Sequence, residues 1–159
     1  MAKKFTIKTY QLKPTDNKLI DRIAEWYLEE WSIPKARTKI RLANHVNDDV
    51  LVQLVLKEGN SIIATGGLYS NTGLSIIFPH YKAISPWIAL LYTDKKNRGK
   101  GHGTLLLKAL EEYALEFGIT QVYLYTSTAE KLFKRNGYKQ IDRIKYRNVD
   151  TVVMEKHLS

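Results

Sequence analysis

The sequence predicts a mixed α+β fold, and three observations predict it. "VLVQLVLKEGNSIIATGGLYS", Val50 to Ser70, is two apolar runs around a short polar turn, the pattern of a β-hairpin. "PWIALLYT" runs into a glycine-rich turn and an amphipathic helix, and "QVYLY" follows, giving a strand–helix–strand unit at the centre. "YKQIDRIKY" and "DTVVMEKHL" close the chain as two strands joined near Arg147 to Asp150. A length of 159 residues suits one domain, 1–159, with a single sizeable core.

The elements follow in order. "FTIKTYQL" alternates at its start and reads as a strand, and Pro14, Thr15 and Asp16 mark a turn and cap. "NKLIDRIAEWYLEEW" places Ile20, Ile23, Tyr27 and Trp31 on one helical stripe, with Trp26 beside it, and core packing is the expected role of these aromatics. In the hairpin, Gly66 and Gly67 imply a bulge or a close backbone approach. The run from Trp87 to Leu91 is almost wholly apolar, so burial on both faces is expected. The central helix is expected to bury Leu106, Leu110, Tyr113 and Phe117 and to stop at Gly118. "TAEKLFKRN" reads as a short helix ended by Gly137.

Composition narrows the function classes. No run approaches the roughly 18 apolar residues of a membrane span. The N-terminal lysines precede no apolar segment, so no secretory signal is expected. The sequence holds no cysteine, which excludes disulfides and thiolate metal sites and makes a cytoplasmic location the default. No His, Asp and Glu spacing suggests a metal site. The net charge of +9 favours polyanionic ligands. The basic residues are spread along the chain, with short clusters at Lys95 to Lys100 and Arg143 to Arg147, so nucleic acid is not expected as the principal partner.

The chemistry concentrates in "NRGKGHG", Asn97 to Gly103. The P-loop pattern needs a glycine where Asp94 stands, and Ser or Thr where Gly101 stands. The dinucleotide fingerprint needs G-x-G-x-x-G, whereas Gly99, Gly101 and Gly103 are spaced two apart. Both readings fail. Glycines still permit positive φ and let an anion approach the backbone, and the helix that follows offers unpaired N–H groups. Arg98 and Lys100 add charge. The turn therefore reads as a holder of phosphate or pyrophosphate.

"RGKGHG" resembles the R/Q-x-x-G-x-G/A signature of the GNAT superfamily of N-acetyltransferases, and "AEKLFKRNGY" resembles that family's A-x-x-L-Y-x-x-x-G-F/Y segment. The resemblance covers nearly the whole chain, and "EWYLEEW", "SPWIALLYT" and "TVVMEKHL" are similar to small bacterial-type members. It implies a mostly antiparallel sheet, splayed at the motif strand and flanked by helices, and acetyl transfer from acetyl-CoA to an amine of a small molecule or peptide. By position, the amides of Arg98, Gly99, Lys100, Gly101, His102, Gly103 and Thr104 hold the pyrophosphate. The backbone of Leu91, Tyr92 and Thr93 pairs with the pantetheine arm, and one of those amides polarises the thioester carbonyl. Lys95, Lys96 and Lys100 favour the phosphates by charge.

The sequence also departs from the family pattern. Phe133 stands where many relatives carry the tyrosine that protonates the leaving sulfur, and phenylalanine donates no proton. Thr126 stands where many carry an asparagine that contacts the cofactor. "SPWIAL" lacks the frequent glutamate base. Either positioning and the oxyanion amide carry the rate with water as proton acceptor, or other residues substitute. His80 has the intrinsic pKa of a base, though an ordinary loop histidine is the expected role, and Tyr92, Tyr125 and Tyr138 are candidate acids. His102 is expected to point outward. His45 and His157 have no partner pattern. The acceptor is expected on the other side of the sheet, walled by the first helix and the loop after it, Trp26 to Leu42. The basic "SIPKARTKIR" there mildly favours an acidic or neutral acceptor. The departures leave a second reading, a non-catalytic acyl-CoA-binding regulatory module. Members of such folds pair in several ways, so a homodimer stays open.

Overall fold

The computed structural model describes residues 6–159. Phe5, the first residue of the expected N-terminal strand, and the N-terminal lysines lie outside them. Strand β1 (Ile7–Gln11) is followed by helices α1 (Asn17–Trp31) and α2 (Lys35–Ala43). The hairpin β2 (Val50–Glu58) and β3 (Ser61–Tyr69) turns at Gly59, whose φ of 60° fits a two-residue loop. A short helix α3 (Gly73–Ile77) and a 3₁₀ turn (Pro79–Ala83) precede β4 (Trp87–Thr93). Then come α4 (His102–Glu116), β5 (Gln121–Thr126), α5 (Glu130–Arg135), β6 (Lys139–Tyr146) and β7 (Val149–His157). Arg147 and Asn148, both at positive φ, close the last hairpin.

The strands form one seven-stranded sheet in the order β1-β2-β3-β4-β5-β7-β6. Every pairing is antiparallel except β4 with β5. That parallel pair meets only at Trp87 and Tyr123. Beyond this point the strands diverge, and the sheet opens into a V toward their C-terminal ends. The opening corrects one expectation. Trp87 and Ile88 are buried, but Ala89, Leu90 and Leu91 are only half-buried, because β5 no longer pairs alongside them.

Helices cover both faces. On one, Leu106, Leu107, Leu110 and Ala114 of α4 and Phe133 of α5 pack on Val52, Leu54 and Ile88. On the other, Ile20, Ile23, Trp26 and Tyr27 of α1 and Leu42 of α2 pack on Val50, Val55, Tyr69 and Tyr92. Leu74 of α3 joins Tyr81, Trp87 and Val153 beside them.

Two side chains and one segment sit differently from expectation. Trp26 is buried as expected, while Trp31, the last residue of α1, is only half-buried. Phe117 is 65% exposed. α4 stops one residue earlier, and the bond from Ile119 N–H to Ala114 O turns the chain through left-handed Gly118, leaving Phe117 stacked on Tyr113 outside the core. The expected loop after α1 is largely helix α2, which turns only Thr38 and Leu42 fully inward.

Candidate functional site

The site forms where β4 and β5 part. Parallel strands bring their C-terminal ends to one edge, and the N-terminus of α4 arrives at the same edge. A Cβ added to Gly103 would lie 4.0 Å from Thr93 Oγ1, so the end of β4 and the start of α4 are neighbours.

The glycine turn is open in the way its spacing implies. Gly99 and Gly101 have φ of 77° and 82°, a conformation that other residues adopt only with strain. A Cβ at either would meet nothing within 4 Å. The glycines therefore serve backbone conformation and access rather than packing. The first helical bond runs from Leu105 N–H to Gly101 O, and no side chain caps the helix. The amides of His102, Gly103 and Thr104 thus face the turn without intrahelical partners, at the positive end of the helix dipole. Lys95 and Lys96, just before the turn, and Lys100, within it, are exposed.

Arg98 is also exposed, but its side chain folds back. Its Nε donates to Thr93 O at 2.9 Å and its guanidinium lies 5.2 Å from the centre of the Tyr92 ring. His102 is a correction. It is 8% exposed, because it is the first residue of α4 and left-handed Gly101 turns the chain so that this side chain folds inward.

The free edge of β4 completes one wall. Asp94 N–H donates to Ile63 O on β3 at 2.8 Å. In an antiparallel ladder successive residues alternate sides, so Thr93 turns its N–H and C=O toward the opening. Pairing with β3 matches Thr65 to Tyr92 and Gly67 to Ala89, so three steps on β4 meet two on β3. The extra residue is a bulge at Leu90, whose φ is 58°. The glycines opposite it make close approaches, as their pairing in the sequence implied. A Cβ on Gly66 would fall 2.4 Å from Leu91 Cδ2, and one on Gly67 would fall 2.6 Å from Gln53 Oε1 and 2.7 Å from Val52 O.

A buried polar chain runs behind the bulge on the α1 face. The Tyr69 hydroxyl donates to Gln53 Oε1. Gln53 Nε2 donates to Thr65 Oγ1 at 2.7 Å and to the Tyr27 hydroxyl at 3.0 Å, and Tyr27 donates to Leu90 O at 2.8 Å. Arg41 lies 4.4 Å from the centre of the Tyr69 ring and pairs with Asp49 at 2.8 Å. Nothing in the sequence pattern pointed to Gln53, which simply continued an apolar strand. Burial pushes the Tyr27 and Tyr69 hydroxyls well above the ordinary tyrosine range. Raised folded-state values carry a sign. Stability is fully present below about pH 10, where unfolded tyrosines are still protonated, and falls above it as they ionise in the unfolded chain alone. Each tyrosine contributes a slope of about 1.4 kcal/mol per pH unit there. Denaturant melts at alkaline pH are expected to show this fall, and Tyr69→Phe is expected to make it shallower.

The remaining candidates are spread out. Tyr125, on β5, packs 5.8 Å from Trp87 and 5.6 Å from Tyr146. Burial, then the neighbouring Tyr146, pushes its hydroxyl up to about 12. Thr126 Oγ1 accepts from the amides of Thr128 and Ala129, at 3.2 and 3.0 Å, and so turns β5 into α5. Phe133 is buried against Tyr138, 5.8 Å between ring centres. Tyr138 donates to Glu111 at 2.7 Å, and Lys156 pairs with the same carboxylate at 2.9 Å, so that tyrosine is tied into the core. His80 is exposed and stacks 4.0 Å from Tyr81, whose hydroxyl donates to Asp142 on edge strand β6. His45 is buried, with Nδ1 against Leu42 O and Nε2 2.9 Å from Leu12 O. On the face opposite α4, Trp26 and Trp31 stand 5.0 and 6.2 Å from Tyr92. No group of three or more metal-ligating side chains occurs among the described residues.

Comparison with known proteins gives a consistent picture. The acetyltransferase (GNAT) family model matches residues 18–138. No curated protein matches the sequence. Solved structures match over nearly their full lengths. An aminoglycoside 6'-N-acetyltransferase complexed with coenzyme A superposes with TM-score 0.73 at 13% identity, covering 94% of this chain and 96% of that one. The aminoglycoside 6'-N-acetyltransferase from Enterococcus faecium gives 0.72 at 13% identity over 94% and 96%. Ard1 from Thermoplasma volcanium gives 0.71 at 18% identity over 96% and 98%. At these identities the likeness is one of fold.

Proposed function

The chain belongs to the acetyltransferase (GNAT) family, whose members use acetyl-CoA, and from that premise we propose that it moves an acetyl group from acetyl-CoA to a primary amine of a small molecule or peptide. The observation that carries this reading is the uncapped α4 N-terminus behind two left-handed glycines, set at the mouth of the β4–β5 opening. The residues present fit the donor. The nest is open, polar and flanked by lysines, and the half-exposed apolar edge of β4 suits a thin, partly apolar arm.

In this reading the amides of Arg98 to Thr104 hold the pyrophosphate, with Lys95, Lys96 and Lys100 adding charge. Leu91 to Thr93 pair with the pantetheine arm as an added strand, and one of their amides stabilises charge growing on the thioester oxygen. Thr126 borders the arm from β5. The amine approaches from the α1 and α2 side, where half-exposed Trp31 stands 6.2 Å from the buried Tyr92 ring. The donor supplies the activated acyl group, and the chain supplies position. No ionisable side chain lies in "SPWIAL", so water accepts the amine proton. Tyr125, whose hydroxyl burial keeps protonated through the physiological range, is the candidate proton donor on β5. The cysteine-free composition supports a cytoplasmic location. No helix among the described residues is long and apolar enough to cross a membrane.

Release of free CoA in the presence of a panel of small amines and peptide N-termini tests the activity. Turnover with at least one class is expected. Tight cofactor binding without turnover across the panel would instead favour the non-catalytic acyl-CoA-binding module. Phe133→Tyr is expected to raise turnover about tenfold or more by adding a second proton donor, and a drop would show that α5 is used differently here.

A further inference from the structure

We propose that Tyr27 is a positioning residue that fixes the amide of Leu91 against the thioester carbonyl, acting through the carbonyl of Leu90. The proposal rests on the reading that the β4 edge receives the acetyl-CoA arm, and it narrows three candidate amides to one.

The argument starts from the peptide plane. Leu90 O turns toward α1, where the Tyr27 hydroxyl meets it at 2.8 Å. A trans peptide sets its C=O and N–H in opposite directions. Leu91 N–H therefore points away from α1, and the alternation that turns Thr93 to the opening sets Leu91 on the same side of β4. Leu90 has φ of 58°, an unfavourable conformation for leucine, so the bulge depends on what holds it.

The hydrogen-bond chain leaves little freedom. Each hydroxyl has one proton. Tyr69 gives its proton to Gln53 Oε1. Gln53 Nε2 donates to the Tyr27 oxygen, which leaves the Tyr27 proton for Leu90 O. Thr65 accepts from Gln53 and passes its own proton to Leu54 O at 2.8 Å. Gln53, Thr65, Tyr27 and Tyr69 are all essentially buried, so a broken link strands a polar group away from water. Gly67 admits Gln53 and Tyr69 to this place, since a Cβ there would meet both at 2.6 Å. An apolar set of the same size would fill the core equally well but would not orient the Leu90 carbonyl.

The test uses acetyl-CoA carrying ¹³C at the thioester carbonyl, bound to the full chain and read by isotope-edited infrared spectroscopy. In the wild type, a hydrogen bond from Leu91 N–H lowers the carbonyl stretching frequency relative to free acetyl-CoA. Tyr27→Phe keeps the ring but removes the donor, and is expected to lose most of that shift while acetyl-CoA affinity stays within about threefold. With an amine acceptor, kcat is expected to fall about 10- to 100-fold with little change in KM. Tyr69→Phe, which frees the far end of the chain, is expected to lose a smaller part of the shift and serves as the readout if Tyr27→Phe fails to fold. An unshifted carbonyl in the bound wild type, or an undiminished shift in a folded variant whose melting temperature alone drops, overturns the proposal. Absence of acetyl-CoA binding to the wild type overturns the cofactor reading itself, and the proposal with it.

Discussion

Replacing Gly103 with glutamate is expected to weaken acetyl-CoA binding by about 100-fold or more while leaving thermal stability equal or higher. The two effects are expected to have opposite signs because the fold leaves this position free of steric contact, while the proposed phosphate nest includes it. A Cβ at Gly103 meets nothing closer than Thr93 Oγ1 at 4.0 Å, and its φ is not in the left-handed region. The first turn of α4 holds no acidic residue. A glutamate there complements the helix dipole by about 0.3–1 kcal/mol and is a better helix former than glycine. The same carboxylate occupies the phosphate nest with like charge. At an effective dielectric constant near 20, two unit charges about 4 Å apart repel by roughly 4 kcal/mol. Gly101→Glu is a poorer probe, since φ of 82° strains any other residue and mixes a folding defect with the binding loss. Titration calorimetry beside a thermal melt separates the two effects at Gly103. Unchanged affinity there would remove the turn from the cofactor site.

Gly67→Ala is expected to cost about 3 kcal/mol of stability, a large share of the roughly 5–15 kcal/mol typical of a domain. The added methyl would stand 2.7 Å from the backbone oxygen of Val52, which cannot swing aside as a side-chain end can. It would also press on Gln53 and Tyr69, the links that lead to Leu90. Chemical denaturation reads the loss directly. Gly66→Ala is expected to cost less, because the atom in the way, Leu91 Cδ2, ends a flexible side chain.

What was legible in the sequence was local. Glycine spacing, the apolar strand before it and the helix after it lie within one continuous stretch, and their geometry follows from neighbouring residues alone. The hairpins were legible for the same reason. The chain behind the β4 bulge was not, because Tyr27 meets partners 26 and 63 residues away, and only the tertiary arrangement brings them together. Helix α2 escaped because it turns just Thr38 and Leu42 fully inward, too narrow a stripe to register as periodicity. The inward turn of His102 depends on left-handed Gly101, a backbone setting that composition does not reveal. The half-exposure of Ala89 to Leu91 has a similar origin. An apolar run reads as a doubly covered strand, yet here β5 leaves it after one residue pair.

Calorimetric titration of the full chain with acetyl-CoA tests the central claim most directly. Saturable one-to-one binding is expected below about 1 mM, weakened by Gly103→Glu. No binding by the wild type up to that concentration would contradict the assignment of the glycine turn and the β4–β5 opening as the acetyl-CoA site.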